Sequence, residues 1–148
     1  LNPYMGEDSI NPFLVHENKG VFILCRTSNS SAHIFQNQKL NGGLFLYEKV
    51  AEWANSLNHK NNIGLVVGAT VPQELSRVRD LAPDLPILIP GVGAQGGDLE
   101  KSVYEGNKSG IGIINVSRDI SFSGDCSVES IRSSAQSYVK KINEALNG

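Results

Sequence analysis

Four glycines and one glutamine follow a short apolar run in "PILIPGVGAQGGD" (residues 86–98). The spacing of Gly91, Gly93 and Gly96 matches the G-x-G-x-x-G pattern of dinucleotide-binding loops. Glycine-rich backbone lets amide N–H groups approach an anion because no side chain intervenes, and a following helix adds its positive N-terminal end. The stretch therefore predicts a loop that binds phosphate.

Two polar side chains suit the same ligand. Gln95 lies within the glycine stretch and offers a neutral amide donor, and Arg118 follows the next apolar run, "GIGIINVS" (residues 110–117). A guanidinium binds phosphate through two parallel N–H donors. A tight strand-to-helix turn would explain one or two of the glycines but not both side chains. Taken alone, Arg118 would more readily form a surface ion pair with Asp119 or Asp125.

The elements that must position these residues alternate between strands and helices. Continuous apolar runs rich in β-formers predict buried strands, and apolar positions three or four residues apart predict the helices between them. The predicted strands cover residues 20–25, 62–70, 86–90 and 110–117. The predicted helices cover residues 44–58, 70–81, 98–103 and 128–146. This alternation predicts an α/β fold with a parallel sheet and right-handed crossovers.

Local signals mark the beginning of two helices. Thr70 with Gln73 matches a capping box, and Pro72 stands where a first-turn proline belongs. Asp98 can cap the short helix that follows the glycine stretch.

Two architectures fit a parallel sheet of this size. An open, doubly wound sheet of flavodoxin size would be complete with about five strands, whereas in a (β/α)8 TIM barrel of about 250 residues this chain would be the C-terminal portion. The chain starts "LNPYMG" without an initiator Met, and "LNPY" could be the end of a preceding strand. We therefore expect residues 1–148 to form a single unit holding barrel strands five to eight and the end of strand four.

The position of the glycine loop bears on its ligand. A Rossmann loop opens the first βα unit of its domain and expects an acid about 20 residues later. Here the loop follows the next-to-last predicted strand, and the last strand leads to Arg118, which could accept the 2′-phosphate of NADP. In a barrel, the loops after the last two strands are where phosphate is usually bound. The barrel position favours a phosphate monoester, with NADP as the alternative.

Composition argues against several function classes. The net charge is −2, without a basic stripe, so nucleic-acid binding is not expected. No apolar stretch approaches the ~20 residues that cross a bilayer, and no secretory signal is present at the start of the chain. Cys25 and Cys126 form no C-x-x-C pair and fit a reducing, cytoplasmic location. The spacing of His16, His33 and His59 does not suit a metal site.

These stretches resemble a known family. "PGVGAQGGD", followed further along by "INVSRDI", is similar to the C-terminal portion of orotidine 5′-phosphate decarboxylase. "NPYMGEDSINPF", "TSN" after a strand and "VVGAT-P-EL" resemble the second bacterial subgroup of that family. The likeness extends from Asn2 to Ile120, and the glycine motif is its most specific part. It implies a (β/α)8 barrel, usually a homodimer, that converts orotidine monophosphate into uridine monophosphate and carbon dioxide without a cofactor.

The resemblance also assigns the phosphate ligands. It implies that Gln95 and Arg118 hold the 5′-phosphate of the nucleotide substrate. Backbone N–H groups near Ser117, together with those of Gly93 and Gly96, are expected to complete this site.

For the pyrimidine, the resemblance implies that Ser28 reads the ring amide from the loop after strand five. Thr27 lies beside it, and Pro90 would form a wall of the pocket. Thr27 and Asn29 are explained equally well by local structure, as an ST-turn and a cap. The polar stretch 28–43 is long for a βα loop, and we expect either a lid or a mobile connection.

The chain departs from the family pattern in one respect. The family's catalytic group is a Lys/Asp network, much of it in a D-x-K-x-x-D motif on the third strand, and no aspartate here is followed by lysine at that spacing. We therefore expect no catalytic residue in this segment and no activity from it alone. The N-terminal portion of the same enzyme would supply the catalytic groups. The alternative is a non-catalytic open-sheet module that binds a phosphorylated nucleotide or NADP.

Overall fold

Four parallel strands form one sheet in a computed structural model that describes residues 1–93 and 96–147. The strands are β1 (Val21–Arg26), β2 (Ile63–Val67), β3 (Ile87–Pro90) and β4 (Gly112–Asn115). Their order in the sheet is the order along the chain, and each neighbouring pair is parallel. A doubly wound sheet reverses its strand order at a switch point, whereas barrel strands follow one another in sequence. The observed order is that of a barrel segment.

Helices connect the strands. They are α1 (Asn11–Leu14), α2 (His33–Gln36), α3 (Leu46–Leu57), α4 (Pro72–Leu81), α5 (Leu99–Asn107), α6 (Arg118–Ser121) and α7 (Val128–Asn147). Short 3-10 helices cover Pro3–Met5, Glu7–Ser9 and Ser30–Ala32. Within the described ranges, none of these helices is both long and apolar enough to cross a membrane.

The four predicted strands and the four predicted helices are confirmed, with some shifted ends. Pro72 is in the first turn of α4, and the Asp98 side chain accepts a hydrogen bond from Lys101 N at 3.1 Å. The predicted capping box of Thr70 and Gln73 is wrong. Val71 is the residue before α4, and Thr70 Oγ1 instead donates to the Ser28 carbonyl at 3.3 Å. A tertiary partner therefore takes the hydroxyl that the local pattern assigned to the helix.

The first residues are strand-like only at Leu1. Leu1 N donates to Phe22 O at 2.6 Å, and Leu1 O accepts from Leu24 N at 2.9 Å. One residue that bonds two alternate residues of its neighbour is the pattern of a parallel ladder. Pro3–Met5 is a 3-10 helix, so the strand expected over "LNPY" is wrong beyond its beginning.

The helices cover only one face of the sheet. Alternate strand residues, among them Ile23, Leu65 and Ile87, are fully buried in a core shared with α3 and α4. The opposite face carries a row of aligned apolar residues, Leu24, Val66, Leu88 and Ile113. Leu24 and Ile113 in this row are 39% and 40% exposed. This one-sided cover is expected where the second face points into a barrel.

Arg79 joins the ends of several elements at the edge of the sheet away from the glycine loop. It is fully buried, and burial lowers the pKa of its guanidinium, which the nearby Asp84 partly opposes. Its Nη1 and Nη2 donate to the carbonyl groups of Ala82, Pro83, Leu85, Gly106 and Ile111, at distances of 2.6 to 3.3 Å. One cation thus ties the C-terminal ends of α4 and α5 to the segments that lead into β3 and β4.

Replacing Arg79 tests this role. We expect Arg79→Met to lower the free energy of unfolding by about 3 kcal/mol or more, because buried carbonyl groups lose their donors. Urea denaturation followed by circular dichroism measures the loss. Arg132→Met is the control, since Arg132 forms an exposed ion pair with Glu129 on α7 worth about 1 kcal/mol or less. Equal losses in the two variants would contradict the structural role of Arg79.

Candidate functional site

The carboxyl ends of the four strands meet at one edge of the sheet. Arg26 of β1 is aligned with Val67 of β2, and Pro90 of β3 is aligned with Asn115 of β4. Every residue singled out above for phosphate or pyrimidine follows, or ends, one of three of these strands, β1, β3 and β4. The sheet therefore gathers loops that are far apart in sequence, at the edge where barrel enzymes bind their ligands.

Ser28 and Pro90, both predicted to contact the pyrimidine, lie next to each other. The Ser28 hydroxyl is 3.5 Å from the Pro90 carbonyl oxygen, at the outer limit of a hydrogen bond. The Ser28 carbonyl accepts from Thr70 Oγ1, so the loop after β2 holds the serine backbone. The hydroxyl is thus positioned by its backbone and only weakly held by its own contact. A contact of Ser28 or Pro90 with the pyrimidine stays a prediction.

Gly68 makes this position possible. A Cβ atom on Gly68 would lie 2.1 Å from Ser28 Oγ and 2.8 Å from Ser28 N. Gly68 N also donates to the Arg26 carbonyl at 2.8 Å, so the backbone there is already fixed. Only glycine fits here, directly after β2, against the serine. No local pattern in the sequence marks Gly68, because the close approach depends on two loops 40 residues apart along the chain.

Thr27 is bonded to its own loop. Its backbone N donates to Gln36 Oε1 at 2.9 Å, and its hydroxyl donates to Asn29 Oδ1 at 2.6 Å. Gln36 Nε2 donates in turn to Thr27 Oγ1 at 2.9 Å. The Thr27 hydroxyl thus bonds a side chain and not the backbone N–H of an ST-turn, and Asn29 precedes a 3-10 helix without a side-chain cap bond. A contact between Thr27 and the pyrimidine stays a prediction.

A buried ion pair supports the loop after β1. Arg26, almost fully buried, pairs with Glu74 of α4 and donates through Nη1 to the Thr27 carbonyl at 2.6 Å and to Gln36 Oε1 at 3.2 Å. Glu74 also accepts from Asn37 Nδ2 at 2.9 Å. The polar stretch 28–43, expected to be a lid or a mobile connection, is thus tied to α4. No sequence signal marked Arg26 or Gln36.

The glycine loop adopts the backbone conformation that its composition requires. Gly91, Gly93 and Gly96 have φ angles of 94°, 79° and 77°, which L side chains rarely adopt. Gly97 N donates to Gly91 O at 3.1 Å, which closes the turn, and Gly96 N donates to Gly93 O. Gln95, the predicted side-chain donor, lies outside the described residues. The predicted phosphate contacts of the loop therefore stay predictions.

The loop contacts the beginning of α6. A Cβ atom on Gly93 would lie 2.2 Å from Asp119 Oδ2, next to the predicted phosphate ligand Arg118. Ser117 and Arg118 are both exposed at this end of β4. The structure therefore places Gly93, after β3, against the residue that follows Arg118, after β4.

The alternative of a surface ion pair for Arg118 is not seen. Within the described part of the chain, Arg118 forms no ion pair. Asp119 instead accepts from Tyr138 OH at 2.8 Å. Hydrogen bonds from Ser127 and Ser130 lower the pKa of Asp125 to about 2. Both acids have neutral partners, which leaves the guanidinium available to an anionic ligand.

The described residues contain no group of three or more His, Cys, Asp or Glu side chains that could hold a metal ion. Both cysteines are free. Cys25 is buried, which raises the pKa of its thiol to about 12, and Cys126 is exposed. A nucleophilic thiolate is therefore not offered by Cys25 at neutral pH.

Comparison with known proteins is consistent with this geometry. The family model of "Orotidine 5'-phosphate decarboxylase / HUMPS family" matches residues 1–132. An orotidine 5'-phosphate decarboxylase from Natronomonas pharaonis is 54% identical over 124 residues, which are 84% of this chain and 46% of that protein. One from Variovorax paradoxus is 49% identical over 144 residues, which are 93% of this chain and 53% of that protein.

Solved structures agree with the fold. The structure of Leishmania donovani OMP decarboxylase has a TM-score of 0.87 at 37% identity, covering 99% of this chain and 56% of that chain. The Methanocaldococcus jannaschii enzyme, complexed with the inhibitor BMP, has a TM-score of 0.67 at 27% identity, covering 90% of this chain and 58% of that one. The predicted fold class, part of an α/β barrel, is thereby confirmed. The predicted bacterial subgroup stays a prediction.

The chain spans about half the length of the curated relatives that it matches. The shared part runs from the segment before β1 through β4, and it includes every strand end described above.

Replacing Gly68 tests the close approach to Ser28. We expect Gly68→Ala to lower the free energy of unfolding by about 1–3 kcal/mol, because the new methyl group overlaps the Ser28 backbone. Gly20→Ala is the control, since its Cβ would meet only Asn62 O at an ordinary 3.4 Å. Urea denaturation compares the two variants. A Gly68→Ala chain as stable as the Gly20→Ala chain would show that Ser28 is not held in this position.

Proposed function

Because the chain belongs to the orotidine 5′-phosphate decarboxylase / HUMPS family, we propose that it is part of an enzyme that decarboxylates orotidine 5′-monophosphate. The product is uridine 5′-monophosphate, a step of pyrimidine biosynthesis. The observation that carries the proposal is the meeting of the Ser28–Pro90 pair and the Gly93–Asp119 contact at the same edge of the sheet. Among the activities in the family name, the decarboxylase is favoured by relatives at about half identity that carry it.

This segment would bind the substrate at both ends. Arg118, Gln95, the backbone of Ser117 and the amides of Gly93 and Gly96 would hold the 5′-phosphate. Ser28 would read the pyrimidine amide, with Pro90 as a wall and Thr27 beside it. Charge-assisted hydrogen bonds to a phosphate dianion are among the stronger polar contacts in proteins, so this end contributes much of the binding energy.

The chemical step needs groups that this segment does not offer. Loss of carbon dioxide breaks a C–C bond and leaves its electron pair on the pyrimidine ring, where it is then protonated. A nearby cation and a proton donor stabilise that developing charge. Lys108, one of the lysines closest to a strand, pairs with Asp80 at 3.7 Å, at the edge of the sheet away from the loops described above. The catalytic residues would therefore come from the N-terminal portion of the enzyme, and no cofactor is required.

The uncovered face of the sheet is suited to that partner. Leu24, Val66, Leu88 and Ile113 form an apolar row that water would otherwise reach. Strands of the N-terminal portion would bury this row inside a closed barrel. The intact enzyme is expected to be a homodimer, as the resemblance implies, and cytoplasmic, as the two cysteines indicate. The segment alone is expected to be inactive.

A chimera tests the proposal. The N-terminal part of the Variovorax paradoxus relative, which precedes the matched region, is fused ahead of this chain. We expect the chimera to convert orotidine monophosphate into uridine monophosphate, measured by the change in ultraviolet absorbance. Each half alone serves as a control and is expected to show no activity. A soluble, folded chimera without activity would contradict the proposed function.

The role of Arg118 is tested in the same chimera. We expect Arg118→Ala to lower kcat/KM by roughly 100-fold, about 3 kcal/mol, because a charge-assisted contact to the phosphate is lost. Arg132→Ala, which removes an exposed arginine on α7, is expected to leave kcat/KM unchanged. An unchanged kcat/KM in Arg118→Ala would remove this residue from the phosphate site.

A further inference from the structure

We propose that Tyr138 and Ser134 of α7 are positioning residues for the phosphate-binding loops, acting through Asp119. This inference rests on the proposed function, because it assigns a role around the same phosphate site. It concerns the long C-terminal helix, for which the sequence indicated only an amphipathic pattern.

Asp119 is held by α7 at two points. Tyr138 OH donates to Asp119 Oδ2 at 2.8 Å, and Ser134 Oγ donates to the Asp119 carbonyl at 2.9 Å. Residues 134 and 138 are one turn apart on the same side of the helix. The helix therefore fixes both the carboxylate and the backbone of the residue that follows Arg118.

The same two groups contact the glycine loop. A Cβ atom on Gly93 would lie 2.2 Å from Asp119 Oδ2 and 2.6 Å from Tyr138 OH. The loop after β3 thus contacts the hydrogen-bonded pair of Asp119, which follows β4, and Tyr138, which lies in α7. A displacement of Asp119 would move the support of Gly93 and the backbone next to Arg118 together.

The hydrogen bond from Tyr138 to Asp119 also affects the charge near the phosphate site. Asp119 is an acid next to Arg118, and a free carboxylate there would repel a phosphate dianion. Tyr138 OH donates to Asp119 Oδ2, the oxygen beside Gly93, and so partly offsets its negative charge toward the loop. A phenol is protonated at neutral pH, and partial burial, together with the neighbouring Asp119, raises the pKa of Tyr138 further.

The other contacts of Tyr138 do not need the hydroxyl. Its ring packs against the core, and Lys141 Nζ lies 5.6 Å from the ring centroid. Phenylalanine keeps the ring and removes only the donor. The variant Tyr138→Phe therefore separates the proposed role from ordinary packing.

The test uses the chimera described above and two product-like inhibitors. In Tyr138→Phe, we expect the inhibition constant of uridine 5′-monophosphate to rise about fivefold, the scale of one hydrogen bond, while that of uridine stays within about twofold. Uridine lacks the phosphate, so a general loss of structure would affect both inhibitors. Tyr104→Phe is the control. Tyr104 is exposed on α5, and together with Tyr138 it lines a cavity of 820 Å³. The control variant is expected to change neither constant.

Ser134→Ala provides a second, independent variant. It removes the hydrogen bond to the Asp119 carbonyl and is expected to weaken uridine 5′-monophosphate by about threefold to fivefold, again without an effect on uridine. Unchanged inhibition constants in both variants, or equal changes for the two inhibitors, would overturn the positioning role while the unmodified chimera remains active. An inactive unmodified chimera that binds neither inhibitor would instead contradict the proposed function and this inference together.

Discussion

The parallel register of the four strands decides which residues of this chain can meet. Arg26, Val67, Pro90 and Asn115 end their strands side by side, so the loops that follow emerge at one edge. An antiparallel neighbour would send its loop to the opposite edge. Ser28 and Pro90, which are 62 positions apart along the chain, are brought near each other in this way. The parallel direction of the strands therefore determines which residues can form the candidate site, whatever their side chains are.

Two glycines convert that proximity into contact. Gly68 lets Ser28 lie against the end of β2, and Gly93 lets the loop after β3 contact Asp119 and Tyr138. In both places a Cβ atom would overlap a polar group of the neighbouring loop. Gly93 also needs a positive φ angle, whereas Gly68 is required only for space. A need for positive φ angles can be predicted from a glycine-rich motif. A need for space at a single glycine, as at Gly68, leaves no pattern in the surrounding sequence.

The sequence predicted what depends on local pattern and missed what depends on distant partners. The strands and main helices follow from apolar runs and periodicity, and Asp98 caps α5 because its partner, Lys101 N, is three residues away. Thr70 has the same kind of local signal, but the helix cap that it predicted is wrong, because the Thr70 hydroxyl donates to the Ser28 carbonyl instead.

Arg79 and Tyr138 show the same limit. An arginine in an amphipathic helix is ordinarily a surface residue, and nothing in its sequence neighbourhood indicates five carbonyl acceptors contributed by three separate segments. The pairing of Tyr138 with Asp119 likewise spans 19 residues across a turn. The predicted role of Ser28 comes from the resemblance to a family, since its residue type is common and its spacing is not periodic. Arg118 is also predicted from the residues themselves, because it follows the predicted strand after the glycine loop.

The helices cover one face of the sheet only, and this indicates how the site of a closed barrel would be shared between this segment and further strands. Its covered face holds the core. In a closed barrel, other strands would bury the uncovered apolar row and bring a second set of loops to the same edge. Under the proposed function, contacts far from the reacting carbon would still lower the barrier, because binding energy at the phosphate can order and desolvate the ring. The contacts by which Arg26 and Glu74 hold one loop, and Tyr138 and Asp119 the other, would then serve binding, since loosely held loops spend that energy on their own ordering.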